Sequence, residues 1–384
     1  MNQLMKKDKL AYLEGLRGVA ALMVVLCHLR YTFAISSTDT LLEQLKQRTD
    51  SYLLSYIVNS IVNIMFDGNL AVYIFWFMSA YVISIKLFMQ DDSQYLFQSF
   101  SKRYFRLMLP ALGSILFALS LLHFGLMYNS QLAQKLGTGY QNGWLGSFYQ
   151  FDANILEAVK SGLWNTFFNY DDRTSYNASL WTMNPELYGS MFCFLLFGVV
   201  GKNRHRHMFY LIIMCGTFIL KTYWLTSFLF GFFMCDIDYS KPNWIKKTID
   251  FLTQNKFINT VIFICLIIIG GKSNYFGFFD LFISSLLVII IMRTFYLQQL
   301  LQNAFMVWLG KISFSLYLIH LPLICSFSCY LYLTLNLEHQ TKVLLISSLT
   351  IALALFISYI FTKFIDKNAV VFANKFASWL TKPD

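Results

Sequence analysis

Apolar runs of membrane-crossing length alternate with short polar clusters along almost the whole chain. A helix needs roughly 20 apolar residues to cross the hydrocarbon core of a bilayer. On that criterion the pattern predicts about ten spans, at approximately 11–34, 69–90, 104–127, 181–201, 206–221, 222–236, 257–271, 275–293, 306–334 and 342–365. The runs at 222–236 and 257–271 are short. Residues 52–66 read as an amphipathic segment at the surface or packed on the bundle. No internal repeat is visible, so an inverted-repeat transporter gains no support. The pattern therefore predicts an all-α, polytopic transmembrane helical bundle. Residues 1–384 form a single integral-membrane domain with spans over 11–365, and residues 366–384 are expected as a short cytoplasmic tail.

Basic residues orient the bundle. With the N-terminus inside, the inner side takes 21 of the 30 lysines and arginines, Lys6, Lys7, Lys9, Lys241 and Lys382 among them. The outer side takes nine, including Lys46, Arg48 and Lys272. That bias and an even span number place both termini in the cytoplasm. The run after Lys9 continues without a small-residue cleavage site, so the first span is expected to be its own insertion signal. The two longest outer segments are 35–68 and 128–180. The second carries Trp144, Phe148, Tyr149, Phe151 and Trp164 among its aromatics. Such residues anchor a chain at the interface or stack on sugar rings.

Composition agrees with the pattern. Only 13% of residues are charged and 57% are hydrophobic, against about 25% charged in a soluble domain. The net charge of +10 belongs to basic loops on one side and does not point to nucleic acid. The seven cysteines lie in or beside apolar runs without CxxC or zinc-like spacing, and read as buried thiols with no metal.

Ionisable groups inside apolar runs are costly and mark functional sites. Arg17 and His28 are eleven residues apart in the first span. At about 100° and 1.5 Å per residue they return to nearly one helical face, with a rise of about 16 Å. Arg103 and Arg106 open the third span three residues apart and point one way. They serve either as positive-inside flanks or as a fork for phosphates. Glu186 enters a span just after Pro185 and needs a cationic partner. His320 lies inside a late span with Pro322 behind it. A buried imidazole of that kind is either a satisfied structural hydrogen-bonder or part of a site.

These segments, in this order, resemble membrane acyltransferase family 3. Tyr12 to Ala21 followed by His28 resembles the family opening, whose hallmark is Arg-x10-His. Ala71 to Ala80 resembles its second-span run, with Trp76 and Ala80 standing where Phe and Gly are usual. Arg103 and Arg106 match its Arg-x-x-Arg. Leu180 to Tyr188 resembles its Trp-Ser/Thr-Leu-x-x-Glu-x-Tyr, and Ile312 to Pro322 its Ser-x-Ser-Leu-Tyr-Leu-x-His-x-Pro. At Phe364 to Asn368 the family often has an acidic residue followed closely by Pro. The resemblance covers residues 11 to about 367.

The resemblance implies an O-acyltransferase, an enzyme moving groups other than aminoacyl groups, in the bacterial cytoplasmic membrane. The donor it implies is a cytoplasmic acyl-CoA, commonly acetyl-CoA. The acceptor is a carbohydrate outside the cytoplasm, such as O-antigen, capsule or exopolysaccharide. Membrane lipid, donor and acceptor are then the partners. Acyl transfer to an alcohol needs a base, and a neutral imidazole suits that role. His28 is therefore expected as the base, or as a covalent acyl carrier. Glu186 is expected to orient His28 or pair with Arg17. Arg17, Arg103 and Arg106 are expected to bind the donor, and His320, Trp181 and Tyr317 to support the substrate. The rival class is a transporter or flippase for a lipid-linked sugar or acyl carrier.

Overall fold

The computed structural model describes residues 10–33, 52–90, 93–137, 143–239, 244–253, 255–271 and 277–381. Lys6, Lys7, Lys9, Lys46, Arg48, Lys241, Lys272 and Lys382, used above for orientation, lie outside the described residues, as does all of 35–51. Among the described residues the chain is helical, without a strand.

The first half comprises α1 (Ala11–Phe33), α2 (Tyr52–Met65), α3 (Gly68–Gln90), α4 (Ser93–His123) and the short α5 (Asn129–Leu136). Two small helices, α6 (Ile155–Lys160) and α7 (Thr166–Phe168), precede a 3₁₀ turn at Ala178–Thr182 that runs into α8 (Met183–Val200). Then come α9 (Arg206–Ile219), α10 (Tyr223–Tyr239), α11 (Trp244–Leu252), α12 (Lys256–Gly270), α13 (Phe278–Arg293) and α14 (Phe295–Leu301). The chain ends with α15 (Ala304–Leu323), α16 (Cys329–Thr334), α17 (His339–Phe361) and α18 (Lys367–Leu380). Wide π turns at Ile324–Ser328 and Thr362–Asp366 join α15 to α16 and α17 to α18.

Among the described residues six helical stretches are long and apolar enough to cross a membrane, or up to eight if two bent pairs count as one span each. The sequence pattern predicted about ten. The difference lies in the middle of the chain. The helices there have 14, 17 and 15 residues, at α9, α10 and α12. At 1.5 Å per residue each is shorter than a ~30 Å core requires. Residues 367–380, within the expected tail, form α18 and pack along α4. Its buried stripe is Ala369, Ala373 and Ala377, a spacing of four that lies along one face of a helix.

The contact that positions the site is α1 on α15. Glycines allow it. A Cβ on Gly18 would stand 2.7 Å from the backbone nitrogen of Gly310, and a Cβ on Gly310 would collide with the carbonyl oxygen of Glu14. Small residues let membrane helices approach backbone to backbone, where dispersion is strongest. The two helices run parallel. Ten residues beyond Gly18 is His28, and ten residues beyond Gly310 is His320. A close glycine contact at one level thus fixes an imidazole pair about 15 Å further along. Gly310→Val is expected to unseat this pair and remove the folded, monodisperse protein in size-exclusion chromatography. Gly216→Ala, where a Cβ meets nothing within 4 Å, should leave that elution profile unchanged and raise stability slightly through helix propensity.

Candidate active site

His28 and His320 meet edge to edge. Nδ1 of His28 lies 2.8 Å from Nε2 of His320, and Nδ1 of His320 lies 3.1 Å from the carbonyl oxygen of Leu316. A carbonyl only accepts, so Nδ1 of His320 carries a proton and donates. Neutral His320 then presents a lone pair at Nε2. That lone pair accepts from Nδ1–H of His28. The hydrogen positions follow from the partners, and the outcome is specific: Nε2 of His28 carries a free lone pair. His320 is fully buried, whereas His28 keeps partial exposure. The indole of Trp144 lies parallel to the His28 ring, 9° from coplanar and 5.6 Å between centroids. Trp144 is presented by a loop that Asn129 ties down, donating to the carbonyls of Leu145 at 2.9 Å and Phe148 at 3.0 Å.

One turn below His320 on α15, Tyr317 bridges to the 3₁₀ turn ahead of α8. Its hydroxyl donates to the Ser179 carbonyl at 2.6 Å and accepts from Thr182 at 2.7 Å. Asn177 holds the same turn against α15 by donating to the Leu318 carbonyl at 2.6 Å. Tyr317 and Thr182 line a cavity of about 250 Å³ together with Arg17, Arg103, Arg106, Glu186, Trp76 and Phe314. The rings of Tyr317 and His320 are 5.8 Å apart, so the cavity reaches to within one side chain of the imidazole pair.

The three arginines expected to act together do line one cavity, each held differently. Arg17 pairs with Glu14 of its own helix at 3.4 Å. Arg106 binds Asp366 of the π turn before α18 and lies over the Phe314 ring at 5.4 Å. Arg103 binds Glu186 and also donates to Ser79 at 3.0 Å and Ser190 at 2.9 Å. Ser79 shares the Glu186 carboxylate as well. Glu186 was expected to orient His28 or to pair with Arg17; instead its carboxylate is taken up by Arg103 and Ser79. The reason is placement. Glu186 sits in the first turn of α8, level with Arg103 on α4, while His28 lies further along the bundle beside α15. Trp181 packs edge-on against Trp76, a cavity wall residue, at 6.0 Å.

Ser79, Ser190, Phe314 and Asp366 complete this arrangement and carry no sequence signal as strong as the arginines. Asp366 had one: it is an acid at the end of an apolar run. The direct contact between the two histidines was also missed, because nothing along the sequence sets their register. All seven cysteines are free. Among the described residues no group of three His, Cys, Asp or Glu could hold a metal.

The chemistry offered is a base with a fixed tautomer above a cavity rich in guanidinium. Comparison with curated proteins and with solved structures gives no match. A family model described as an acyltransferase domain matches residues 10–363, from the residue before α1 to the turn after α17. The match takes in the imidazole pair and all three arginines, and so the chain belongs to membrane acyltransferase family 3 and is a multi-pass membrane acyltransferase of groups other than aminoacyl groups.

Proposed function

We propose that the protein transfers an acyl group, commonly acetyl, from a cytoplasmic acyl-CoA to a hydroxyl of a carbohydrate outside the cytoplasm, such as O-antigen, capsule or exopolysaccharide in a bacterial inner membrane. The observation that carries this reading is the Leu316–His320–His28 hydrogen-bond chain, which leaves the basic nitrogen of His28 free. The N-terminus of α1 faces the cytoplasm, so Arg17, Arg103 and Arg106 meet the anionic donor there, and His28 stands about 16 Å further out.

The step balances as follows. Nε2 of His28 takes the proton of the acceptor hydroxyl as its oxygen attacks the thioester carbonyl. The new C–O bond forms and the C–S bond breaks. The CoA thiolate leaves and takes the proton back from the imidazolium. His320 accepts a hydrogen bond from Nδ1–H throughout, which holds the ring in one tautomer and one orientation. Guanidinium groups in the cavity suit the donor phosphates by charge and by planar geometry.

The test is a reconstituted assay with purified protein in liposomes, acetyl-CoA on one side and a polysaccharide on the other. Expected are free CoA and an acetylated glycan in equal amounts. Movement of a lipid-linked sugar with no thioester consumed would replace this reading with transport. Trp144 supplies the aromatic face beside His28 on which a sugar ring stacks. Stacking of aromatic rings is worth about 0.5–1.5 kcal/mol, so Trp144→Ala is expected to raise the acceptor KM about three- to tenfold. The donor KM should stay constant, which steady-state kinetics with each substrate varied will check.

A further inference from the structure

A second cavity of about 300 Å³ lies on the far side of Arg103 and Arg106. Both arginines and Ile83 line this cavity and the first one, so the two chambers share a basic wall. Its other walls are Tyr95, Ser99 and Lys102 of α4, Phe194 of α8, and Val370, Ala373 and Asn374 of α18. Lys86, at the end of α3, and Lys102 each hold an ammonium 5.5 Å from the centre of the Tyr95 ring. Two like charges gathered over one ring repel, and neither has a carboxylate partner among the described residues. Ser99 is 4% exposed and its Oγ has no hydrogen-bond partner among the described residues. A buried hydroxyl left without a partner is costly, and Ser99 is a lining residue of this cavity.

We infer that this second chamber is a phosphate site for the phosphorylated ribose end of the donor. The inference rests on the acyl-CoA reading above and deepens it. The donor lies across the shared wall. Its ribose phosphate meets Lys86, Lys102 and Ser99, its pyrophosphate meets Arg103 and Arg106, and its acyl arm enters the first cavity toward Tyr317 and the histidines. A lipid headgroup has the same phosphate chemistry. The buried position of Ser99, the wall supplied by α18 and the wall shared with the first cavity favour the donor as the source. The helix after Asp366 thereby becomes part of the binding site.

The experiment titrates the full-length protein, in nanodiscs of phosphatidylcholine, with CoA and with dephospho-CoA, which lacks only the ribose phosphate. Wild type is expected to bind CoA about tenfold or more tightly. Lys86→Gln with Lys102→Gln is expected to erase that preference while dephospho-CoA binds as before, and Ser99→Ala to reduce it severalfold. Lys86 is exposed, so Lys86→Gln alone serves as the variant least able to disturb folding, and it should reduce the preference in part. Retention of the full CoA preference by the lysine variants overturns the inference. So does loss of a thermal shift with phosphatidylglycerol nanodiscs while CoA discrimination stays intact, since the lysines then serve headgroups. A wild-type protein that binds neither nucleotide refutes the donor reading itself, a different outcome from the first two.

Discussion

His28→Ala is expected to remove acyl transfer, lowering kcat by about 10²- to 10⁴-fold, the usual worth of a positioned acid–base group. Thermal unfolding and membrane insertion should stay close to wild type, because His28 is only partly buried and its loss leaves a site that already borders open space. Full activity of this variant would return His28 to a packing role. His320→Ala acts one step back. It removes the acceptor that fixes the Nδ1–H tautomer of His28, so a smaller loss is expected, about tenfold or more, from misassigned tautomer and orientation. The two variants separate in the pH profile. A missing base flattens the dependence of kcat on pH, whereas a misoriented base keeps that dependence at a lower rate. Rapid quench of the wild-type enzyme with labelled donor decides between direct transfer and an acyl-histidine, since only the latter leaves label on protein.

The sequence carried the helical class, the membrane setting and the residues whose chemistry is out of place in lipid. Arg17 stood out because a guanidinium inside an apolar run is costly, whereas Arg103 and Arg106 also fitted positive-inside flanks. The structure gathers all three at one cavity. What stayed hidden is register between distant helices. That His28 meets His320 depends on Gly18 lying against Gly310 ten residues earlier, and a glycine in a membrane helix does not name its partner. The partner of Glu186 was hidden for the same reason: Arg17 and Arg103 are equally cationic in sequence, and only the packing of α8 on α4 selects Arg103. Trp144 was legible as an aromatic in an outer segment. Its place on the His28 ring depends on the Asn129 hydrogen bonds, which tie together residues 16 and 19 positions apart. The break between α9 and α10 at Lys221 and Thr222 was legible as the boundary between the runs 206–221 and 222–236, whereas the lengths of the helices on either side were not.

The second large effect is expected at Glu186. The Arg103–Glu186 pair is mostly withdrawn from solvent, with side chains 13% and 15% exposed. Removing one partner from such a pair strands a charge, at a cost of about 3–5 kcal/mol, while replacing both by apolar groups of similar volume is often neutral. Glu186→Ala is therefore expected to lower the melting temperature sharply and reduce yield. Glu186→Gln should be milder, since its amide oxygen still accepts from Arg103. The double variant Arg103→Met with Glu186→Leu should recover most of the lost stability, because Ser79 and Ser190 can turn to backbone partners; Ser190 already donates to the carbonyl of Glu186 at 2.7 Å. Donor binding in that double variant should remain absent. Stability and binding then part company, which a purely structural ion pair would not produce: if the double variant regains its melting temperature and also binds CoA like wild type, Arg103 holds the helices together and does nothing for the donor.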